Sequence, residues 1–402
     1  MHRQLWFKKD VTLDWQGKRV SLGVAQELFS SHDVDAGSRL LLRSLDPSAF
    51  PDAGQVVDFG CGYGVLGIAW LTAKPGWRGT LIDRDALAVA FAADNAVRLG
   101  LTDVDCRVGL DVDGLATSGA GPDLLLWNVP GKAGESVLQA LTLDCLTVLD
   151  RGGVLALVVV NPLADLLREA IAAHPAAETI YDQRHADHTV IHVRSDGPAQ
   201  PVTEPLERGL FDRKEAGFGV DEFDYDIFPV VGLTEYDSYD YATEVAFDIF
   251  RTVVGQPEQV LAFRPGQGHL PLVAAHQFTP TQVILADRNL LSVRASARAM
   301  RAVLNPAPSL VEAPIVDLAD LGPQQVDLAV LHLEDQVRNE VHIARLADLE
   351  SLLAANGQVV VCGGSTVVSR FLSFAAKRKR WKLRDRTKRS GASAARLELV
   401  SA

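Results

Sequence analysis

One stretch of the chain decides the fold: Val56-Val57-Asp58-Phe59-Gly60-Cys61-Gly62-Tyr63-Gly64. It is an apolar strand that ends in an acid and opens into a loop with glycines at alternate positions. Because glycine has no Cβ, the backbone amides of such a loop can approach a ligand closely. A second apolar run ends at Asp83, about 20 residues further on, where an acid can bind both hydroxyls of a ribose. The stretch therefore predicts a nucleoside site at the edge of a parallel sheet.

The rest of the first half alternates apolar runs with amphipathic helical periods. This alternation is typical of α/β proteins in which helices cover both faces of a doubly wound, mostly parallel sheet. The predicted strands are Gly54–Asp58, Gly79–Asp83, Asp123–Asn128 and Gly153–Val160, and the predicted helices are Ala86–Leu99 and Gly134–Leu149.

A fixed shift of 204 residues overlays the second half of the chain on the first. Asp83, Asp123, Gly153 and the loop Gly62–Gly64 fall on Asp287, Asp327, Gly357 and Gly266–Gly268. Self-similarity at one period predicts two tandem Rossmann-like domains. We place them at residues 1–195 and 207–402, joined by a proline-rich linker at 196–206.

The two copies differ where a ligand would bind. Asp58 is replaced by Ala262, Gly60 by Arg264 and Asn128 by His332. We therefore expect the second copy to keep the fold and to have lost the cofactor.

Composition narrows the class of protein. The chain has 402 residues, is 48% hydrophobic and carries a formal net charge of −12, values that fit a globular protein of two domains. No apolar run is long enough for a membrane span, the segment Met1–Asp10 lacks the order of a secretory signal, and the four cysteines are scattered. These features predict a cytoplasmic protein without a membrane partner. We expect no metal site, because the spaced histidines His185, His188 and His192 lack a completing ligand set.

The glycine loop alone does not identify which nucleoside is bound. Gly62–Gly67 matches G-x-G-x-x-G, so a dinucleotide site or a purely structural turn must be considered. Three features favour S-adenosylmethionine: the acid Asp58 at the strand end, the additional glycine Gly60, and Asn128-Val129-Pro130 after the fourth strand.

With these motifs and the segment Phe29–Leu42, the chain resembles the small-domain class I methyltransferases, and within them the RsmC group of 16S rRNA guanine-N2 methyltransferases. Those proteins are also tandem duplications with one degenerate copy, although their working copy is usually C-terminal. The resemblance implies that S-adenosylmethionine is the cofactor. It implies that the cofactor is bound by Asp58, Gly60, Gly62, Gly64, Asp83 and Asp111, the substrate by Asp35 and Ser38, and that Asn128 and Pro130 are catalytic.

Some of these roles have structural alternatives. Asp111 can be an ordinary turn acid, and Asp35 can be only a helix cap. The acceptor motif also departs from the family's Asn-Pro-Pro-Phe, because Gly131 stands where an aromatic ring would stack on the base. Trp127 is a candidate replacement, but a Trp in an apolar strand is more often part of the core.

One segment is strongly basic despite the acidic chain. Residues Lys377–Arg389 include nine basic residues and one acid. We take Lys377, Arg378, Lys379 and Arg380 as candidate RNA contacts, with a solvated face as the alternative. The sequence thus predicts methylation of an exocyclic amine in RNA, with guanine N2 of small-subunit ribosomal RNA as the expected acceptor. The alternatives are a methyltransferase for a small molecule or protein, and a non-catalytic module that binds the cofactor.

Overall fold

The computed structural model describes residues 5–116, 120–335 and 337–400. The first four residues of the segment considered for a secretory signal lie outside this range. The chain divides into two compact units, Met1–Phe211 and Asp212–Ala402. Residues 207–211, which the sequence assigned to the second domain, therefore group with the first unit.

The first unit is built on a seven-stranded sheet in the order β5-β4-β3-β6-β7-β9-β8. Neighbouring strands are parallel except at β9, which is antiparallel to both β7 and β8. A separate hairpin, β1–β2, precedes the sheet. The strands are β1 Phe7–Trp15, β2 Lys18–Ala25, β3 Gly54–Phe59, β4 Trp77–Asp83, β5 Val104–Val108, β6 Leu124–Asn128, β7 Val154–Val160, β8 Ala177–Arg184 and β9 His188–Ser195. The helices are α1 Ala36–Ser44, α2 Val65–Ala73, α3 Ala86–Arg98, α4 Glu135–Thr147 and α5 Ala164–Ala173.

Local sequence explains where these elements begin. Asp35 and Asp85 are the N-caps of α1 and α3, and each side chain accepts a hydrogen bond from a backbone amide of its first turn. Helix α2 begins after Gly64, which has a φ of 90°. The predicted strands and helices agree with the observed ones to within two residues, and the predicted doubly wound, mostly parallel architecture is confirmed.

The second unit repeats this sheet strand for strand, in the order β14-β13-β12-β15-β16-β18-β17, with a small hairpin β10–β11 before it. Its strands are β10 Ala216–Val220, β11 Phe223–Ile227, β12 Gln259–Phe263, β13 Gln282–Asp287, β14 Ser309–Pro314, β15 Val326–His332, β16 Leu353–Gly364, β17 Trp381–Arg389 and β18 Ala392–Leu399. Its helices are α6 Tyr241–Phe250, α7 His269–Phe278, α8 Leu290–Val303, α9 Asn339–Leu352 and α10 Ser365–Lys377.

Individual hydrogen bonds repeat at the same shift of 204 residues. In the first unit the Gln55 amide donates to Asp123 Oδ2 at 2.7 Å. In the second, the Gln259 amide donates to Asp327 Oδ2 at 2.9 Å. The shared bond explains why both aspartates are retained: each joins the start of a central strand to its neighbour.

The segment predicted as a linker is packed against the first unit. Ala199 is fully buried, and the Gln200 amide donates to the Thr147 carbonyl at 2.9 Å. Its prolines and small residues allow an irregular path over the surface, which composition alone does not distinguish from a free linker. Within the described ranges, no helix is both long and apolar enough to cross a membrane.

Candidate active site

The glycine loop between β3 and α2 leaves its backbone open. Gly60, Gly62 and Gly64 have φ values of 68°, 55° and 90°. A Cβ on Gly62 would meet nothing within 4 Å, and one on Gly60 would meet only the Trp127 Nε1 at 4.0 Å. The outer side of this loop can therefore receive a ligand. Gly64 has another role, because a Cβ there would lie 2.7 Å from the Ile68 side chain.

Two buried carboxylates flank the loop. Asp58 Oδ2 accepts the Gly67 amide at 2.8 Å, whereas Asp58 Oδ1 is buried and has no hydrogen-bond partner among the described residues. Burial raises the pKa of Asp58 to about 7. A buried oxygen without a partner is costly unless a ligand or water binds it. Asp58 therefore suits the ammonium group of a methionine-derived ligand.

Asp83 lies at the tip of β4, where each carboxylate oxygen holds one backbone amide. Oδ2 accepts the Gly62 amide and Oδ1 the Asp85 amide, both at 2.9 Å. Each oxygen has a second lone pair, so the carboxylate can also accept bonds from two ribose hydroxyls. The structure thus brings Asp58, Gly60, Gly62, Gly64 and Asp83 together at one edge of the sheet.

Asn128, at the end of β6, is held by two polar groups from α1. Its Nδ2 donates to Asp35 Oδ2 at 2.9 Å and to Ser38 Oγ at 3.0 Å. A carboxylate can only accept, so this contact fixes which end of the amide faces Asp35. Both amide hydrogens are used, and Oδ1 remains as an acceptor. Asp35 is at once a helix cap and a support for Asn128, so the two interpretations of this residue are compatible.

The remaining part of the acceptor motif offers no stacking ring. Pro130 and Gly131 are exposed after β6. Trp127 is 1% exposed and packs on Phe59, with 5.3 Å between ring centroids. Trp127 is therefore a core residue and cannot stack on a base.

Asp111, predicted either to contact adenine or to be a turn acid, lies in a turn beside Arg208. It is buried, its Oδ1 accepts the Val112 amide at 2.7 Å, and its Oδ2 accepts Arg208 Nη2 at 3.1 Å. Arg208 also binds both oxygens of Asp144. Burial, together with Asp144, raises the pKa of Asp111. This arrangement supports the turn-acid interpretation, and a contact to adenine stays a prediction.

The Arg208 ion pairs give a first testable prediction. Replacing Arg208 with Gln leaves the buried pair Asp111 and Asp144 without its cation, so we expect a loss of about 3 kcal/mol in the free energy of unfolding at pH 9, above the pKa of Asp111, which burial and Asp144 raise to about 8. The loss should shrink at pH 5, because Asp111, whose pKa is raised, is then protonated and repels Asp144 less. Urea unfolding at both pH values measures this effect. Arg151→Gln, which alters an exposed arginine of the same unit, should cost less than about 0.5 kcal/mol at either pH. A loss independent of pH would contradict the electrostatic explanation.

Comparison with known proteins then decides the family of the first unit. Residues 20–178, about two fifths of the chain, match the family model described as methyltransferase small domain. This region is therefore similar to the methyltransferase small domains. The predicted resemblance to that class is confirmed, and with it S-adenosylmethionine as the cofactor of the class.

Curated relatives match part of the chain. The ribosomal RNA large subunit methyltransferase G of Alcanivorax borkumensis is 35% identical over 141 residues, which are 34% of this chain and 35% of that protein. The ribosomal RNA small subunit methyltransferase C of Pseudomonas fluorescens is 37% identical over 107 residues, 27% of this chain and 30% of that protein. The matches thus span only about a third of these relatives' length.

A solved structure is similar over both units. The 16S rRNA N2 methyltransferase RsmC of T. thermophilus, in complex with AdoMet and guanosine, gives a TM-score of 0.67 at 16% identity and covers 97% of this chain and 98% of its own. At this identity the likeness establishes the fold alone.

In the second unit, charged side chains lie at the loop that corresponds to the open glycine loop of the first unit. Arg264 keeps the left-handed backbone of Gly60, with a φ of 60°, although this conformation is unfavourable for a residue with a Cβ. Its Nε lies 3.4 Å from Glu334 Oε1, and Glu235 Oε2 lies 3.9 Å from the Cβ position of Gly266. Burial opposes ionisation of Glu334, but Arg345 and Arg264 outweigh it and lower its pKa to about 2. A fixed cation and the absence of an acid at Ala262 do not suit a sulfonium cofactor.

The basic segment lies far from the small domain in sequence, and it is partly neutralised within the second unit. Arg378 binds both oxygens of Glu350, at 2.6 and 2.9 Å, and Arg380 lies 3.5 Å from the same carboxylate. Lys377, at the end of α10, and Lys379 are exposed. Two of the four predicted RNA contacts, Arg378 and Arg380, are therefore paired with an acid, which sequence spacing could not reveal.

Proposed function

We propose that the chain is an S-adenosylmethionine-dependent methyltransferase that modifies an exocyclic amine of guanine in ribosomal RNA. The observation that carries the proposal is the fixed orientation of Asn128 beside the open glycine loop. Asp35 and Ser38 take both of its amide hydrogens, so Oδ1 can accept a hydrogen bond from the amine. The named functions of the curated relatives support RNA as the substrate.

In this mechanism, the residues supply positioning. When bound, S-adenosylmethionine would supply a methyl group on a sulfonium: the amine nitrogen would bond to the methyl carbon as the carbon–sulfur bond breaks, S-adenosylhomocysteine would leave, and the amine would lose a proton to solvent. Asp83 would hold the ribose and Asp58 the ammonium group, while the loop amides allow close approach. Asn128 Oδ1 and the carbonyl of Pro130 would accept bonds from the amine and direct its lone pair towards the methyl group. Alignment of this kind supplies much of the acceleration of a displacement reaction.

For the acceptor we propose guanine N2 of the small subunit, and the large-subunit relatives supply the competing assignment. The test offers labelled S-adenosylmethionine to undermodified small and large ribosomal subunits in separate reactions. Label in the small-subunit RNA supports the finer proposal, whereas label only in the large-subunit RNA replaces it. Label in neither subunit, with the cofactor bound, would refute RNA methylation.

The exposed lysines give a second prediction. Lys379, Lys382 and Lys388 are exposed, and no ion pair of these side chains is found in the described parts of the chain. If they contact phosphates, replacing all three with Gln should weaken RNA binding and lower the slope of log Kd against log salt by about 1 per lysine. Filter binding between 50 and about 200 mM salt would measure this.

Arg378→Gln is the matched control for charge removal in the same segment. Because Arg378 already pairs with Glu350, we expect its loss to reduce stability and to leave the salt slope nearly unchanged. A slope that falls as much for Arg378→Gln as for the lysines would mean that net charge alone acts, without defined contacts.

A further inference from the structure

The acceptor site lacks the ring that would stack on a base, and the structure places another ring beside it. His188 is the first residue of β9 and pairs with Val160 at the carboxyl end of β7. Asn128 ends β6 on the other side of β7. His188 and Asn128 therefore lie at the same edge of the sheet, one strand apart.

The ring of His188 faces the first turn of α1. A Cβ on Gly37 would lie 3.2 Å from His188 Cδ2 and 2.9 Å from Asp35 Oδ2. Because Gly37 has no side chain, the His188 imidazole and the Asp35 carboxylate can both lie close to its Cα. Asp35 in turn holds Asn128. Cδ2 and Nε2 of the His188 ring thus lie against the first turn of the helix, while the side chain as a whole is only half-buried.

The turn that carries His188 is held in place. Asn161 Nδ2 donates to the carbonyls of His185 and Ala186, at 3.1 and 2.9 Å, and its Oδ1 accepts Thr189 Oγ1 at 2.8 Å. The Asn161 amide adds a bond to the Asp187 carbonyl at 3.0 Å. These bonds hold the backbone of the turn, and with it the position of the His188 Cα, before any ligand binds, as a binding residue requires.

The two histidines of β9, His188 and His192, differ in burial and in hydrogen bonding. Both lie on the strand face that meets α1, as their spacing predicts. His192 is buried, bonds to Ser44 Oγ at 2.8 Å and stacks on Tyr181. His188 is only half-buried, and no hydrogen bond of its ring is found within the described residues. His192 has a structural role, whereas His188 remains available.

The geometry points to His188 as the residue that stacks on the acceptor base, in place of the aromatic ring missing at Gly131. Its ligand is a purine base whose exocyclic amine lies at Asn128. This inference rests on the proposed function for the identity of the base, and on the contacts of Gly37 and Asn161 for the position of the ring. An imidazole provides a flat aromatic face, and base stacking does not require a particular sequence.

Binding of free guanosine tests the inference without requiring methyl transfer. The probe is titrated calorimetrically into protein saturated with S-adenosylhomocysteine, and transfer to RNA is measured in parallel. We expect His188→Ala to raise the guanosine Kd about 10- to 100-fold, the range for loss of one stacking contact. His188→Phe should stay within about threefold of the parent protein. His185→Ala, in the same turn, is the matched control and should change nothing.

The outcomes separate the two proposals. If the parent protein methylates RNA and His188→Ala binds guanosine normally, the inference is wrong and the proposed function stands. If His188→Ala loses guanosine binding while no RNA is methylated, the stacking role holds and the proposed function fails. Should His188→Phe not fold, Asn161→Ala, which loosens the turn, must also weaken guanosine binding. If His188→Gln still binds guanosine and a folded His188→Phe does not, the ring does not act by stacking and the inference is wrong.

Discussion

Replacing Asn128 with Ala is expected to lower kcat/KM for RNA methylation by on the order of 10²–10³-fold while changing the cofactor Kd less than about twofold. The reduction is that typical of losing one preorganised polar group at a reacting centre. Cofactor binding should persist, because Asp58, Asp83 and the glycine loop make no hydrogen bond to the Asn128 side chain. Single-turnover transfer and calorimetry measure the two quantities separately.

Asn128→Asp tests the reason for that loss. The introduced carboxyl would lie where the amide now donates to Asp35, so two acids would face each other at about the present 2.9 Å. Like charges at this distance cannot both ionise easily, and a proton is retained between them. We therefore expect this variant to be poorly active at pH 8 and to recover partly at pH 6, where the shared proton restores the hydrogen bond.

His332→Ala is the matched control for the Asn128 variants, because His332 occupies the corresponding strand end in the second unit. We expect it to leave both transfer and cofactor affinity unchanged. Equal losses of transfer and cofactor binding in Asn128→Ala would contradict the positioning role, and a flat pH profile for Asn128→Asp would contradict the part assigned to Asp35.

The sequence predicted those parts of the molecule that depend on local pattern. Apolar runs ending in Asp58, Asp83 and Asn128 correctly located three central strands, because a buried parallel strand is continuous in sequence. The shift of 204 residues identified the duplication because glycines and aspartates at strand ends have backbone roles, and these roles remain when the ligand is lost. The bond to Asp327 is such a case.

Contacts between distant residues could not be predicted in this way. Asp35 and Asn128 are 93 residues apart, and Arg208 and Asp111 are 97 apart. A single sequence contains no signal that pairs them. The composition of residues 196–206 indicated a free linker, although the segment is packed. Proline-rich stretches that pack on a domain have the same composition as those that do not. The charge of the basic segment could not be judged from the segment alone, because Glu350, which neutralises Arg378, lies 28 residues away.

The duplication itself supplies the sharpest test of which unit binds the cofactor, since Asp83 and Asp287 occupy corresponding strand ends. Each accepts the amide two residues later, Asp85 in one unit and Asn289 in the other. Only Asp83 also holds a glycine amide of its loop, whereas Gly266 donates to Ser292 Oγ. If the first unit alone binds S-adenosylmethionine, calorimetry will find one site per chain.

Asp83→Ala should then raise the cofactor Kd on the order of 10²–10⁴-fold, because two hydrogen bonds from ribose to a charged acceptor, each contributing about 1.5–3 kcal/mol, are lost. Asp83→Asn, which keeps the shape of the side chain, should lose less. Asp287→Ala should change neither affinity nor stoichiometry, since Arg264 and Glu235 already lie in the corresponding region of the second unit. Two sites per chain, or a site removed by Asp287→Ala, would show that the second copy still binds the cofactor.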